Sequence, residues 1–170
     1  MEISFLRRLR RVVFLNLFNL LFSRSTRNIK LKRLILRLAC IRVGKNTTVV
    51  GPLILGNAVK FSVGEGSWVG QDFKVYGSGE AEIGNNVAIA PDVTILSGSH
   101  QIGGAEQRAG TGLHYHLIIG NGVWIGGRST LYGNIRIDDS SIVGAGSLVN
   151  KDVTKNTIVG GVPSRVLREL

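Results

Sequence analysis

The sequence runs to 170 residues, with 23 Gly, 3 Pro and a formal net charge of +10. A lone cysteine, Cys40, excludes an intrachain disulfide and a cysteine zinc cluster, and Gly without Gly-X-Y order points to repeated tight turns rather than collagen. Residues 1–42 carry eleven Lys and Arg against Glu2 alone. Residues 43–170 balance ten basic with ten acidic residues, so the charge gives no case for nucleic-acid binding by this larger part.

Residues 1–42 read as a basic amphipathic helical head. Leu6, Leu9, Val13, Leu17 and Leu20 recur at three- and four-residue steps beside Arg7, Arg8, Arg10 and Arg11. The apolar run Val12–Phe22 is eleven residues long, short of the roughly 20 that span a bilayer. A second segment sets Leu31, Leu34, Ile35, Leu38 and Ile41 against Lys30, Lys32, Arg33 and Arg37. Two roles suit this pattern. One is a cap over the open end of the body that follows. The other is peripheral contact with an anionic membrane surface. Nucleic-acid binding is not expected, because stacking aromatics and a known motif are missing.

From Val43 the period changes to six. Aliphatic residues stand at Val43, Val49 and Leu55, at Val63, Val69 and Val75, and at Ile83, Ile89 and Ile95. They resume at Ile119, Ile125, Leu131, Ile137, Val143 and Val149. Six fits neither a helix nor a flat strand. It is the spacing of a parallel β-helix in which three hexapeptides make one triangular coil. Five coils are expected, starting at 43, 63, 83, 119 and 137, with the two-residue additions Phe61-Ser62 and Ala81-Glu82 placed at turns. Residues 101–118 interrupt the repeat without changing its phase, as a loop pushed out between coils would. The expected organisation is a cap over 1–42, an all-β solenoid over 43–160 with loop 101–118, and a C-terminal tail over 161–170, either a short helical turn or extended.

The stretches TILSGSH, HYHLIIG, GNGVWIGG, IVGAGSLVNKDV and GGVPSRVLRE, in this order, resemble the hexapeptide-repeat acyltransferases, in particular the maltose, galactoside and nodulation-type O-acetyltransferase branch. The resemblance covers residues 43–170 and implies a left-handed parallel β-helix, a homotrimer and active sites in the clefts between chains. It also implies acetyl-CoA as co-substrate, with transfer of an acetyl group to a sugar hydroxyl. The basic head looks more like that of acetyltransferases of bacterial surface-polysaccharide pathways, which implies a cytoplasmic enzyme at the inner face of the membrane. The alternatives are an N-acetyltransferase on an amino-sugar nucleotide and a zinc enzyme of the γ-class carbonic anhydrase kind using His100, His114 and His116.

His100 falls at the last position of its hexapeptide and is expected to point outward into a cleft. An imidazole titrates near the working pH, which suits a general base that takes the acceptor hydroxyl's proton. Asp72 sits where the family carries an Asn that stabilises the tetrahedral intermediate. An ionised Asp donates no hydrogen bond, so it is protonated, or orients His100 or the acceptor, or leaves the oxyanion to backbone N–H groups. The resemblance places Gly127 and Ala145 along the pantetheine arm, and Asn150, Lys151, Arg165 and Arg168 near the phosphates. Trp124 faces outward by register, between inward Val123 and Ile125, and with Arg108 on the loop is a candidate acceptor contact. No metal and no covalent enzyme intermediate are expected, since neither a cysteine nor a serine nucleophile motif is present.

Overall fold

The computed structural model describes residues 5–170, so the first four residues of the expected head lie outside the described residues. From Arg42 onward, short strands separated by turns stack into three parallel sheets, the faces of a β-helix. The first face is Arg42–Val43, Lys60–Val63, Glu80–Ile83, His116–Ile119 and Arg136–Ile137. The second is Thr48–Val49, Trp68–Val69, Ala88–Ile89, Trp124–Ile125, Ile142–Val143 and Thr157–Gly161. The third is Leu53–Leu55, Phe73–Tyr76, Thr94–Leu96, Thr130–Tyr132 and Leu148–Val149.

The period of six becomes columns of buried side chains. Val69 pairs with Ile89, Ile89 with Ile125 and Ile125 with Val143, and all four are buried. Burying each such side chain contributes about 1.5–3 kcal/mol. Small polar residues fill the corner positions between columns. Ser67 is buried, donates to the Gly84 carbonyl at 2.9 Å and accepts from the Val87 N–H at 3.0 Å, so its hydroxyl ties one coil to the next. Ser129 does the same towards the Gly144 carbonyl at 3.0 Å.

Two expectations about the repeat are corrected. The two-residue additions do not sit at turns. They lengthen the first-face strands Lys60–Val63 and Glu80–Ile83 to four residues, and Phe61 and Ala81 are buried there in register with each other. A two-residue addition preserves which side chains face inward, so it fits inside a strand as well as outside one. The stack also continues beyond five coils. Val153 bridges to Ile137, and Thr157–Gly161 pairs with Ile142–Val143. The chain then turns at Val162-Pro163, and Ser164–Glu169 runs back antiparallel as an extended strand rather than a helical turn.

Helices α1 (Phe5–Phe22) and α2 (Ile29–Leu38) pack on the first coil. The leucine stripe read from the sequence is not the face that α1 buries. Leu6, Leu9, Val13, Leu17 and Leu20 of α1 are exposed, and Arg11, Leu15, Phe18 and Phe22 are buried instead. In α2, Leu31 and Leu34 are exposed while Lys32, Ile35 and Leu36 are buried. The cause is the open end of the solenoid, whose carbonyls have no further coil to pair with and need donors. Arg11, only 1% exposed, donates to the carbonyls of Gly56 and Asn57, both at 3.3 Å, and of Val59. Lys32 donates to the carbonyls of Ser25 and Val49. Asn19 exchanges two hydrogen bonds with the Leu53 backbone, at 2.8 and 2.9 Å.

Candidate active site

Two clefts open at opposite edges of the third face. At the corner between the third and first faces the turn is replaced by a hairpin, Gly98–Ile102 paired with Ala109–His114, with Ser99 opposite Leu113 and His100 opposite Gly112. His100 therefore lies on a strand at the base of the loop, and it is exposed. It lines a cleft of about 480 Å³ with Ser78, Leu96, Ser99, Leu113 and Tyr132. Three hydroxyls brace this segment. Tyr132 donates to Ser99 Oγ at 3.2 Å, and the hydroxyls of Tyr115 and Tyr132 lie 3.3 Å apart with their rings edge to face. The hydrogen-bond contact with Ser99, and then that with Tyr115, holds the Tyr132 hydroxyl below the usual tyrosine value, and the contact with Tyr132 holds Tyr115 above it. On the hairpin's far strand, His114 Nδ1 lies 2.6 Å from Ser78 Oγ.

The second cleft, about 530 Å³, lies at the corner between the second and third faces. Asp72, Lys74, Asp92, Gly127, Arg128 and Ala145 line it. Asp72 occupies the left-handed backbone region, φ 58°, which Asp tolerates better than most residues. Its Oδ2 accepts from Gln71 Nε2 at 2.8 Å. Lys74 pairs with Asp92, whose carboxyl is held below its usual value first by that hydrogen bond and then by the Lys74 charge. Gly127 leaves the floor of this cleft open, and its carbonyl accepts from the Gly146 N–H at 2.9 Å, beside Ala145. One rung further, the Gly144 N–H donates to the Val159 carbonyl, and Gly160 stands opposite Arg165 on the returning strand. Gly127, Ala145 and Arg165 thus follow one corner. Arg168 stands opposite Ile158 on the same strand, exposed.

The remaining expected residues lie elsewhere. Asn150 and Lys151 are exposed after Leu148–Val149, on the corner where His100 lies, further along the stack. Trp124 is 54% exposed on the outer side of the second face, between Ala88 and Ile142 in the ladder. Arg108 is in the hairpin loop and reaches the Gly103 carbonyl at 3.4 Å. Within one chain, therefore, Asp72 and His100 do not meet. The residues that sequence reasoning missed are Tyr132, Ser78, Lys74 and Arg128, together with Trp68, exposed one rung beyond Ala88 from Trp124. Trp68 was readable, since it precedes inward Val69 as Trp124 precedes Ile125.

The three histidines do not converge within the chain. His116 pairs with Glu82 at 3.1 Å on the first face, while His114 engages Ser78. Among the described residues, the group whose ligand atoms lie within 4.8 Å of one another is Glu80, Glu82 and His116. Lys60 already pairs with Glu80 at 3.4 Å.

Residues 116–151 match the family model described as bacterial transferase hexapeptide (six repeats). Galactoside O-acetyltransferase of Escherichia coli (strain K12) is 33% identical over 128 residues, 75% of this chain and 63% of that protein. The putative colanic acid biosynthesis acetyltransferase WcaF of Escherichia coli (strain K12) is 28% identical over 135 residues, 79% of this chain and 72% of that one. Among solved structures, a maltose O-acetyltransferase from Clostridium difficile 630 superposes with a TM-score of 0.78 at 31% identity, covering 98% of this chain and 89% of its own. The chain belongs to the hexapeptide-repeat acetyltransferases. A second member, a galactoside acetyltransferase in complex with coenzyme A, superposes at 0.80 with 27% identity, covering 99% of this chain and 84% of its own. The chain spans 63% of the length of the first curated relative it matches. In this hexapeptide-repeat acetyltransferase, His100 lines one cleft and Gly127 the other, at opposite edges of the same face.

Proposed function

We propose that this chain is an acetyl-CoA-dependent O-acetyltransferase that transfers acetyl to a sugar hydroxyl of a bacterial cell-surface polysaccharide or its precursor, working as a homotrimer in the cytoplasm. The observation that carries this reading is the placement of His100. It is exposed in a 480 Å³ cleft, on a strand fixed by the Tyr132–Ser99 hydrogen bond. The coenzyme A in the galactoside acetyltransferase complex, and the acceptors in the names of the relatives, support the choice of substrates.

In this mechanism the acceptor hydroxyl loses its proton to the His100 imidazole as its oxygen attacks the thioester carbonyl. The C–O bond forms and the carbonyl oxygen takes the negative charge, held by N–H donors. Collapse of the intermediate breaks the C–S bond. The departing sulfur takes the proton from the imidazolium, and the histidine returns to its neutral form. Gly127 and Ala145 let the pantetheine arm lie against the backbone, and Arg165 and Arg168 meet the phosphates. The two clefts stand at separate corners of one chain, so three-fold packing brings the His100 cleft of one chain to the Asp72–Gly127 groove of its neighbour. Trp124 and Arg108 then bound the acceptor.

The test is transfer of labelled acetyl from acetyl-CoA to a panel of surface-glycan sugars, with amino sugars supplied in parallel. Wild-type protein is expected to label hydroxyl acceptors, and His100→Ala is expected to abolish transfer with the assembly intact. Full activity in His100→Ala, or labelling of amines alone, overturns the assignment.

A further inference from the structure

Helix α1 is apolar on two opposite sides. One side, Leu15, Phe18 and Phe22 around Arg11, packs on the first coil. The other presents Leu6, Leu9, Val13, Leu17 and Leu20 at three- and four-residue steps, with Leu20 80% exposed. A helix that is apolar all round is ordinarily covered on all sides, and a contiguous exposed apolar stripe marks an interaction surface. Exposed Arg10 borders the stripe, exposed Arg8 stands further round the helix, and the outer side of α2 adds exposed Lys30, Leu34 and Arg37.

We propose that this outer face of α1 docks on an anionic lipid surface, with the helix lying along it and the solenoid projecting away. The chemistry is specific to such a surface. An apolar stripe enters the acyl boundary while flanking basic side chains meet lipid phosphates. No described helix is long and apolar enough to cross a membrane, which fits a helix that lies on the surface. The same face of a second copy is a poor cover, because head-to-head contact sets two excesses of ten positive charges against each other. The neutral body gives the opposite side of the molecule no such attraction. The proposal is independent of acetyl transfer, since docking needs neither acetyl-CoA nor acceptor.

The experiment is co-sedimentation of the full chain with vesicles of phosphatidylcholine containing one quarter phosphatidylglycerol, against vesicles of phosphatidylcholine alone. The protein is expected to sediment with the anionic vesicles, to do so less as salt rises, and to stay in solution with the neutral ones. Arg8→Gln with Arg10→Gln is expected to weaken partitioning by roughly 25-fold, about fivefold for each basic side chain. Leu9→Glu with Val13→Glu is expected to weaken it at least about tenfold. All four positions are exposed, and an unchanged thermal midpoint shows that the fold is kept. Equal sedimentation with both vesicle types, or wild-type binding by both double variants, overturns the proposal. So does a wild-type chain that ignores vesicles while Leu9→Glu with Val13→Glu lowers its mass in solution, an outcome that assigns the face to contact between copies.

Discussion

The Tyr132 hydroxyl donates to Ser99 Oγ at 3.2 Å, and Ser99 immediately precedes His100. A residue on the coil after the hairpin thereby fixes the strand that carries the imidazole. Tyr132→Phe removes this bond and the contact with Tyr115, and leaves the ring packing in place. We expect kcat/KM for acetyl transfer to fall roughly two- to tenfold, the scale of one hydrogen bond, with little change in thermal midpoint.

Gly126 and Gly127 are neighbours with different roles. A Cβ on Gly126 would collide with the Ala145 backbone of the next coil. A Cβ on Gly127 would stand 3.1 Å from the Pro91 carbonyl oxygen, a tight contact that a small shift relieves, and would project into the cleft. Gly126→Ala is expected to destabilise the fold by about 1–3 kcal/mol, read from urea unfolding. Gly127→Ala is expected to keep the fold and raise KM for acetyl-CoA.

Asp72→Asn tests the carboxylate that lines the second cleft. Asn tolerates the left-handed backbone that Asp72 adopts, so the turn survives. The amide supplies a donor that the carboxylate lacks. We expect kcat to rise by about tenfold, given that one oxyanion donor is worth 10²–10³ in favourable sites, with KM for acetyl-CoA little changed.

Lys32 gives the head a pH dependence. Burial pushes its pKa below the ordinary lysine value. Between the two values the unfolded chain binds more protons than the folded one, so this group makes stability rise with pH across the alkaline range below an ordinary lysine's pKa. Urea midpoints measured from about pH 8 to about pH 10 should show a rising contribution that Lys32→Met removes.

The solenoid was legible because aliphatic residues fill its inward columns from Val43 to Val149, with the six-residue step broken only by two two-residue additions and the 101–118 interruption. The interruption at 101–118 was legible as a loop, but its hairpin was not, since Gly98–Ile102 pairs with Ala109–His114 through backbone groups that leave no side-chain period. The head was legible as helical, but which of its faces meets the solenoid was not. Arg11 and Lys32 looked like solvated charges, and the Val59 and Val49 carbonyls of the first coil draw them inward. Which clefts the site residues line depended on the corner each turn occupies. Gly127 and Lys151 belong to one solenoid but stand at different corners.

The stack converts position along the chain into height. Successive parallel strands lie about 4.8 Å apart. Thr94–Leu96, which leads into the His100 hairpin, is two rungs beyond Leu53–Leu55, where Asn19 of α1 is anchored. The coils between them act as a spacer of roughly 10 Å. Inserting or deleting one whole coil there would raise or lower the catalytic cleft by a fixed step above whatever α1 rests on, with the reacting groups unaltered. If α1 docks as proposed, the height of the His100 cleft above that surface is thus set by a count of coils.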